Sequence, residues 1–251
     1  MPRTPTLLLS VLLSAGCASA ARAQSGVRPQ AAPPAQEGEE KPRPSADADT
    51  LEAEQLCERA ESLAAAGRAE ERAALDAYGR ALKLYLTTFI RERPAAPGAR
   101  PETTFRESMR ARLRRAPQCV EGYLRLGGGA TAFERSQLEA FRGQALLFVE
   151  TDESRAAFLG SELDQRARIE RKPEPGFPEG ARGRLSQGTV RLRAVLASDG
   201  TVRHVFVLKG VPYGFSELCV DAARRIKFTP AVRNGSPVSQ FVTLEYHFRT
   251  Y

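Results

Sequence analysis

The chain has 251 residues, 42% of them hydrophobic, enough to bury one large core or two small ones. Its net charge of +7 is uneven: Arg166 to Tyr251 hold 15 Lys/Arg against 7 Asp/Glu, a net of +8, and the rest carries −1. A basic face of this kind attracts nucleic acid, anionic lipid or acidic protein segments, while four cysteines without CxxC spacing give neither a zinc site nor a redox motif.

The first predicted element is an export signal over residues 1–23. Arg3 is a short positive region, Leu7 to Ala15 an apolar core, and Ala21-Arg22-Ala23 before Gln24 fits the small-x-small rule for peptidase cleavage. That apolar core makes roughly 14 Å of helix against a hydrocarbon layer of about 30 Å. Two other outcomes stay open. The leader can remain uncleaved as an inner-membrane anchor. Alternatively Cys17 carries lipid, since Ser14-Ala15-Gly16-Cys17 resembles a lipobox, although Leu13 stands four residues before the cysteine rather than three. Export makes the expected location periplasmic, and nucleic acid the least expected partner.

Gln24 to Asp49 reads as a linker. Pro29, Pro33, Pro34, Pro42 and Pro44 stand among Ala, Glu and Gln, with too little apolar surface to offset the entropy of ordering. From residue 50 to residue 170 a helical region is expected. Leu56, Ala60, Leu63 and Ala64 recur at helical spacing, and Gly67 ends that run. Leu75, Tyr78, Leu82, Tyr85, Leu86 and Phe89 form the apolar stripe of a second helix over Glu70 to Arg91. The pair is weakly similar to a tetratricopeptide hairpin, with no second copy at the proper period. Pro94 to Pro101 is a break. Further helices are expected over Glu102–Leu126 (bent or broken at Pro117), Phe133–Val149 and Glu153–Ile169. Gly127-Gly128-Gly129 makes a turn, and without a following Lys-Ser/Thr it is no phosphate loop. Cys57 and Cys119 both fall on these helices and are a candidate disulfide in an oxidising compartment; Cys219 reads as a small core residue.

After Arg171 the period changes from 3.6 to 2. Thr189–Ala197 alternates, Asp199-Gly200 signals a hairpin, and Thr201–Leu208 is the return strand. Ser216 is a fair N-cap for a helix to about Lys227, with Leu218, Cys219, Ala222 and Ile226 on its apolar side. Pro230 stops it, Asn234-Gly235 turns the chain, and Val238–Phe248 is a third strand. The hairpin makes the first two strands antiparallel. The helix then returns the chain, so the third strand keeps an antiparallel sheet only by pairing with the first. The expected class is α+β: a helical region, then a ββαβ unit with a three-stranded antiparallel sheet in the order second–first–third, one helix on its apolar face and the last strand at an edge.

These residues resemble a family. Lys172-Pro173-Glu174-Pro175-Gly176-Phe177-Pro178-Glu179-Gly180-Ala181 resembles the lead-in of TonB C-terminal domains. Gly188-Thr189-Val190 is similar to the start of their first strand, and Asp199-Gly200-Thr201-Val202 to their hairpin. Phe228-Thr229-Pro230-Ala231 with Asn234-Gly235-Ser236-Pro237-Val238 is similar to their passage into the last strand. The resemblance covers about residues 172–251. It implies a domain that captures a short segment of an outer-membrane receptor, or of another envelope protein, as an added strand, in connection with TonB-dependent transport. An exposed edge invites such β-augmentation. The implied contact residues are Ser239, Phe241, Thr243 and Glu245 of the last strand, with Phe177 and Pro178 nearby; a homodimer by edge exchange also fits the fold. The family's transducers carry a membrane helix with a coupling His, whereas residues 1–203 hold no His. His204 and His247 lack the spacing and acidic company of a metal pair. No nucleophile motif, paired acids or cofactor fingerprint appears, so neither an enzyme, a cofactor nor a small-molecule substrate is expected. The competing reading is a structural adaptor that docks in an envelope assembly through its helices and holds cell wall through its basic C-terminal face.

Overall fold

The computed structural model describes residues 46–91, 102–178 and 187–249. The leader, Cys17, the linker up to residue 45, the Pro94–Pro101 break and Glu179-Gly180-Ala181 of the lead-in lie outside the described residues.

The helices come first. α1 (Ala46–Ala65) begins inside the segment read as linker, with Asp47 and Asp49 in its first turn, where carboxylates oppose the helix dipole favourably. α2 (Glu71–Arg91) follows the turn at Gly67 and buries Tyr78, Leu82, Tyr85, Leu86 and Phe89, as its periodicity predicts; Leu75 is only partly buried. α3 (Glu102–Leu113) and α4 (Ala116–Arg125) are separate helices, with Pro117 in the first turn of α4, where a missing N–H costs nothing. The triple glycine closes α4. Gly127 takes φ +83°, its N–H donates to the Leu124 carbonyl, and Gly128 N–H donates to that of Tyr123, the two bonds of a Schellman cap. α5 (Ala132–Val149) opens on a capping box: Thr131 Oγ1 accepts from Glu134 N–H at 3.0 Å, and the Glu134 carboxylate accepts from Thr131 N–H at 3.2 Å.

No helix forms over Glu153–Ile169. Asp152 accepts from Ser154 N–H at 2.9 Å and turns the chain, a local bond that competes with helix. The segment continues as β1 (Ala157–Phe158), a single 3-10 turn at Gly160–Glu162, and β2 (Arg168–Arg171). It is a strap held by long-range bonds. Arg106 of α3 makes a bidentate pair with Glu162 at 2.9 and 2.8 Å and donates to the Ala157 carbonyl. Ala167 N–H donates to the buried Gln240 side chain at 2.7 Å.

The C-terminal sheet follows the predicted order. β3 (Gln187–Leu196) and β4 (Val202–Lys209) form a hairpin across Asp199-Gly200. β7 (Ser236–Arg249) pairs antiparallel with β3 from Gln187↔Arg249 to Leu196↔Gln240. Two short strands enlarge the expected three-stranded sheet and make it mixed. β1 pairs parallel with β7 at Ser239 and Gln240, and β6 (Ala231–Arg233) forms a hairpin with β7 over Asn234-Gly235. β5 (Lys227–Thr229) pairs with β2. The helix α6 (Phe215–Arg224) starts at Gly214 (φ +83°) rather than at a Ser216 cap; Ser216 Oγ bonds instead to the backbone of Val211.

Both faces of the sheet are covered. Val190, Leu192, Ala194, Leu196, Leu244 and Tyr246 pack on Phe215, Cys219 and Val220 of α6. Val195, Phe206 and Phe241 point the other way and join the helical core, where Phe206 meets Phe89 at 5.4 Å and Phe241 stacks on Phe148 at 4.4 Å. Helices and sheet therefore share one core across the boundary near residue 170.

Candidate functional site

A sheet has two edges, and each presents a row of N–H and C=O groups that a foreign strand can take. Here they differ. The outer side of β4 is engaged at its middle by α5. Gln137 accepts from Val207 N–H at 2.8 Å and donates to the Val205 carbonyl at 3.3 Å. One more side chain works from the same helix. Gln144 donates to the carbonyls of Arg193 (2.9 Å) and His204 (2.5 Å), where the β3–β4 register shifts and leaves backbone groups to be satisfied. Gly143 of α5 lies against the His204 imidazole so closely that a Cβ there would stand 2.0 Å from Nδ1. His204 itself has φ +49° and is half-buried. Burial first, then the neighbouring Arg203, hold its pKa below the usual value; Glu139 opposes them.

The outer side of β7 is only partly closed. β6 and β1 occupy Ser236 to Gln240. From Thr243 to Arg249 no strand pairs with it among the described residues. Lys172 Nζ donates to the Glu245 carbonyl at 2.5 Å, so that carbonyl faces outward, and strand alternation turns the backbone groups of Thr243 and His247 the same way. The site is thus a short bare edge with Lys172 resting on its middle.

The predicted contact residues fall into two groups around this edge. Ser239 is already engaged: its backbone is in register with Ala157, and its hydroxyl accepts from Ser198 N–H at 3.2 Å. Phe241 buries its ring against Phe148. Thr243 is exposed, and Glu245 bonds Arg191 at 2.7 Å, a contact that holds its carboxyl below the ordinary range. Phe177 is 39% exposed and meets Phe215 edge-on at 5.0 Å; Phe215 in turn packs on Phe248 at the far end of the edge. Pro178 lies beside Gly214. The lead-in therefore sits next to the bare edge. Sequence reading missed β1, whose two residues carry no strand pattern, and Gln137 and Gln144, which interrupt an apolar helix face.

Cys57 and Cys119 are both buried and unbridged in α1 and α4. They belong to one buried cluster, and Cys57 first, then burial, pushes the Cys119 thiol up. Cys219 is buried in the other cluster, and burial pushes its thiol up to about 12. His247 is exposed, 3.1 Å from Thr189 Oγ1, at the opposite end of β3 from His204. Among the described residues no group of three His, Cys, Asp or Glu could hold a metal ion, and no helix is long and apolar enough to cross a membrane.

Comparison with known families agrees with the motif order. Residues 173–250 match the family described as Gram-negative bacterial TonB protein C-terminal. The C-terminal third thus matches the TonB C-terminal domain, a family of transport-associated envelope proteins; the helices and the strap lie outside the match. No curated protein matches the chain.

Proposed function

We propose that this chain, a TonB-like envelope protein linked to TonB-dependent transport, works by holding a short partner segment as an added strand on β7. The observation that carries the proposal is the difference between the two sheet edges. Gln137 engages Val205 and Val207 of β4, β6 and β1 pair with β7 up to Gln240, and beyond it no strand among the described residues takes the outer side of β7, whose Phe248 reaches Phe177 through Phe215. An incoming segment displaces Lys172 from the Glu245 carbonyl and pairs with the outward groups of Thr243, Glu245 and His247. Main-chain bonds supply the affinity with little demand on sequence. Phe177 offers an apolar ledge for one partner side chain. The partner is a segment of an outer-membrane receptor or of another envelope protein. A homodimer through the same bare edge would compete with it.

Thr243→Pro tests this. Proline is tolerated at an edge where the lost N–H faces outward, and it denies the partner a donor. We expect the circular dichroism spectrum of the full chain to be kept and calorimetric binding of receptor TonB-box peptides to fall by tenfold or more. Unchanged binding by a folded variant would sink the proposal.

A further inference from the structure

The two thiols of the helical region form a pair without a task in strand capture. Cys57 lies on the inner face of α1 and Cys119 on that of α4, and both have 0% exposure. Both stand in one buried cluster with Tyr78 and Tyr85 of α2, and Cys57 Sγ donates to Glu61 of its own helix at 3.9 Å. Arg115, at the start of α4, makes a double ion pair across the same joint, at 2.5 Å to Glu58 and 2.8 Å to Glu61 of α1. These ion pairs hold the start of α4 against α1, with Glu61 one helical turn from Cys57 and Arg115 one turn from Cys119. The remaining described cysteine, Cys219, is buried in the cluster beneath α6 and has no thiol neighbour.

We propose that Cys57 and Cys119 form a disulfide in the exported protein, tying α1 to α4 and closing the helical region around α2. The reaction is thiol–disulfide exchange with a disulfide-bearing oxidoreductase of the envelope. One cysteine loses its proton and attacks the oxidant's sulfur. The second cysteine then displaces the oxidant from the mixed disulfide. One S–S bond forms in the chain, the oxidant's S–S bond becomes two thiols, and two electrons pass to it. Oxidation occurs while the chain folds, because in the finished core both sulfurs are out of reach of a second protein. The bridge encloses α2 and α3, so most of its effect is to restrict the unfolded chain over a long loop. An envelope location is the condition for this chemistry, since disulfides persist there and not in a reducing cytosol.

The test is a thiol map of the full chain, secreted to the periplasm and trapped with acid. The protein is denatured, alkylated with maleimide before and after reduction, and read by peptide mass spectrometry. Before reduction we expect the Cys57 and Cys119 peptides joined and Cys219 alkylated; after reduction all three are alkylated. Reductant should also lower Tm by roughly 10 °C, and by nothing in the Cys57→Ser/Cys119→Ser double variant. Alkylation of both Cys57 and Cys119 before reduction would overturn the proposal, as would Cys219 joined to either. A protein made in the reducing cytosol serves as the open-thiol reference.

Discussion

At the residue scale, His204 shows how the helical region is fitted to the sheet. Its positive φ and the bulge turn the ring toward α5, and Gly143 is the residue that leaves it space. The half-buried imidazole favours its neutral form, so its folded pKa lies below the 6.5 of the unfolded chain. The unfolded chain then binds the proton first as pH falls, and stability drops from about 6.5 downward until the folded pKa is passed. We expect the urea midpoint to decline over that window in the wild-type chain and much less in His204→Asn, which suits the positive φ. An unchanged decline in the variant would assign it to other groups. Little of this was legible in the sequence. His204 stood in step on a strand, but neither the register shift nor the helix that covers it is a local property. Gln137 and Gln144 were hidden for the same reason. A glutamine on an apolar face gives no hint that a strand edge requires its amide.

At the scale of elements, the hairpins were legible because turn chemistry is local. Asp199-Gly200 and Asn234-Gly235 demand positive φ, and Gly200, Asn234 and Gly235 take it. The strap was not legible. Glu153–Ile169 has a composition that suits helix, and long-range bonds override it. Arg106 is the main one. Its side chain and that of Glu162 are 11% and 15% exposed, so removing one partner leaves a poorly solvated charge. Arg106→Ala should cost about 2–3 kcal/mol in chemical denaturation. It should also free β1, seen as faster amide exchange at Ser239 than at Leu192 or Leu244. A cost without faster exchange at that end of β7 would show that Arg106 supports the helices alone.

At the scale of the molecule, the order second–first–third followed from chain direction and holds in the sheet. The shared core did not follow from sequence. Val195, Phe206 and Phe241 alternate as any strand residues do, and only the structure shows that their face is covered by Phe89, Phe141 and Phe148. Among the described residues no strand pairs with the outer side of β7 from Thr243 to Arg249, while Gln137 engages Val205 and Val207 of β4, and the proposed strand capture is placed on β7. Amide hydrogen exchange of the full chain, with and without a TonB-box peptide at saturation, reads that edge directly. Strand capture on β7 predicts slowed exchange at Thr243, Glu245 and His247, with β4 unaffected. Binding that leaves those three amides unchanged, or that protects β4 instead, would contradict it.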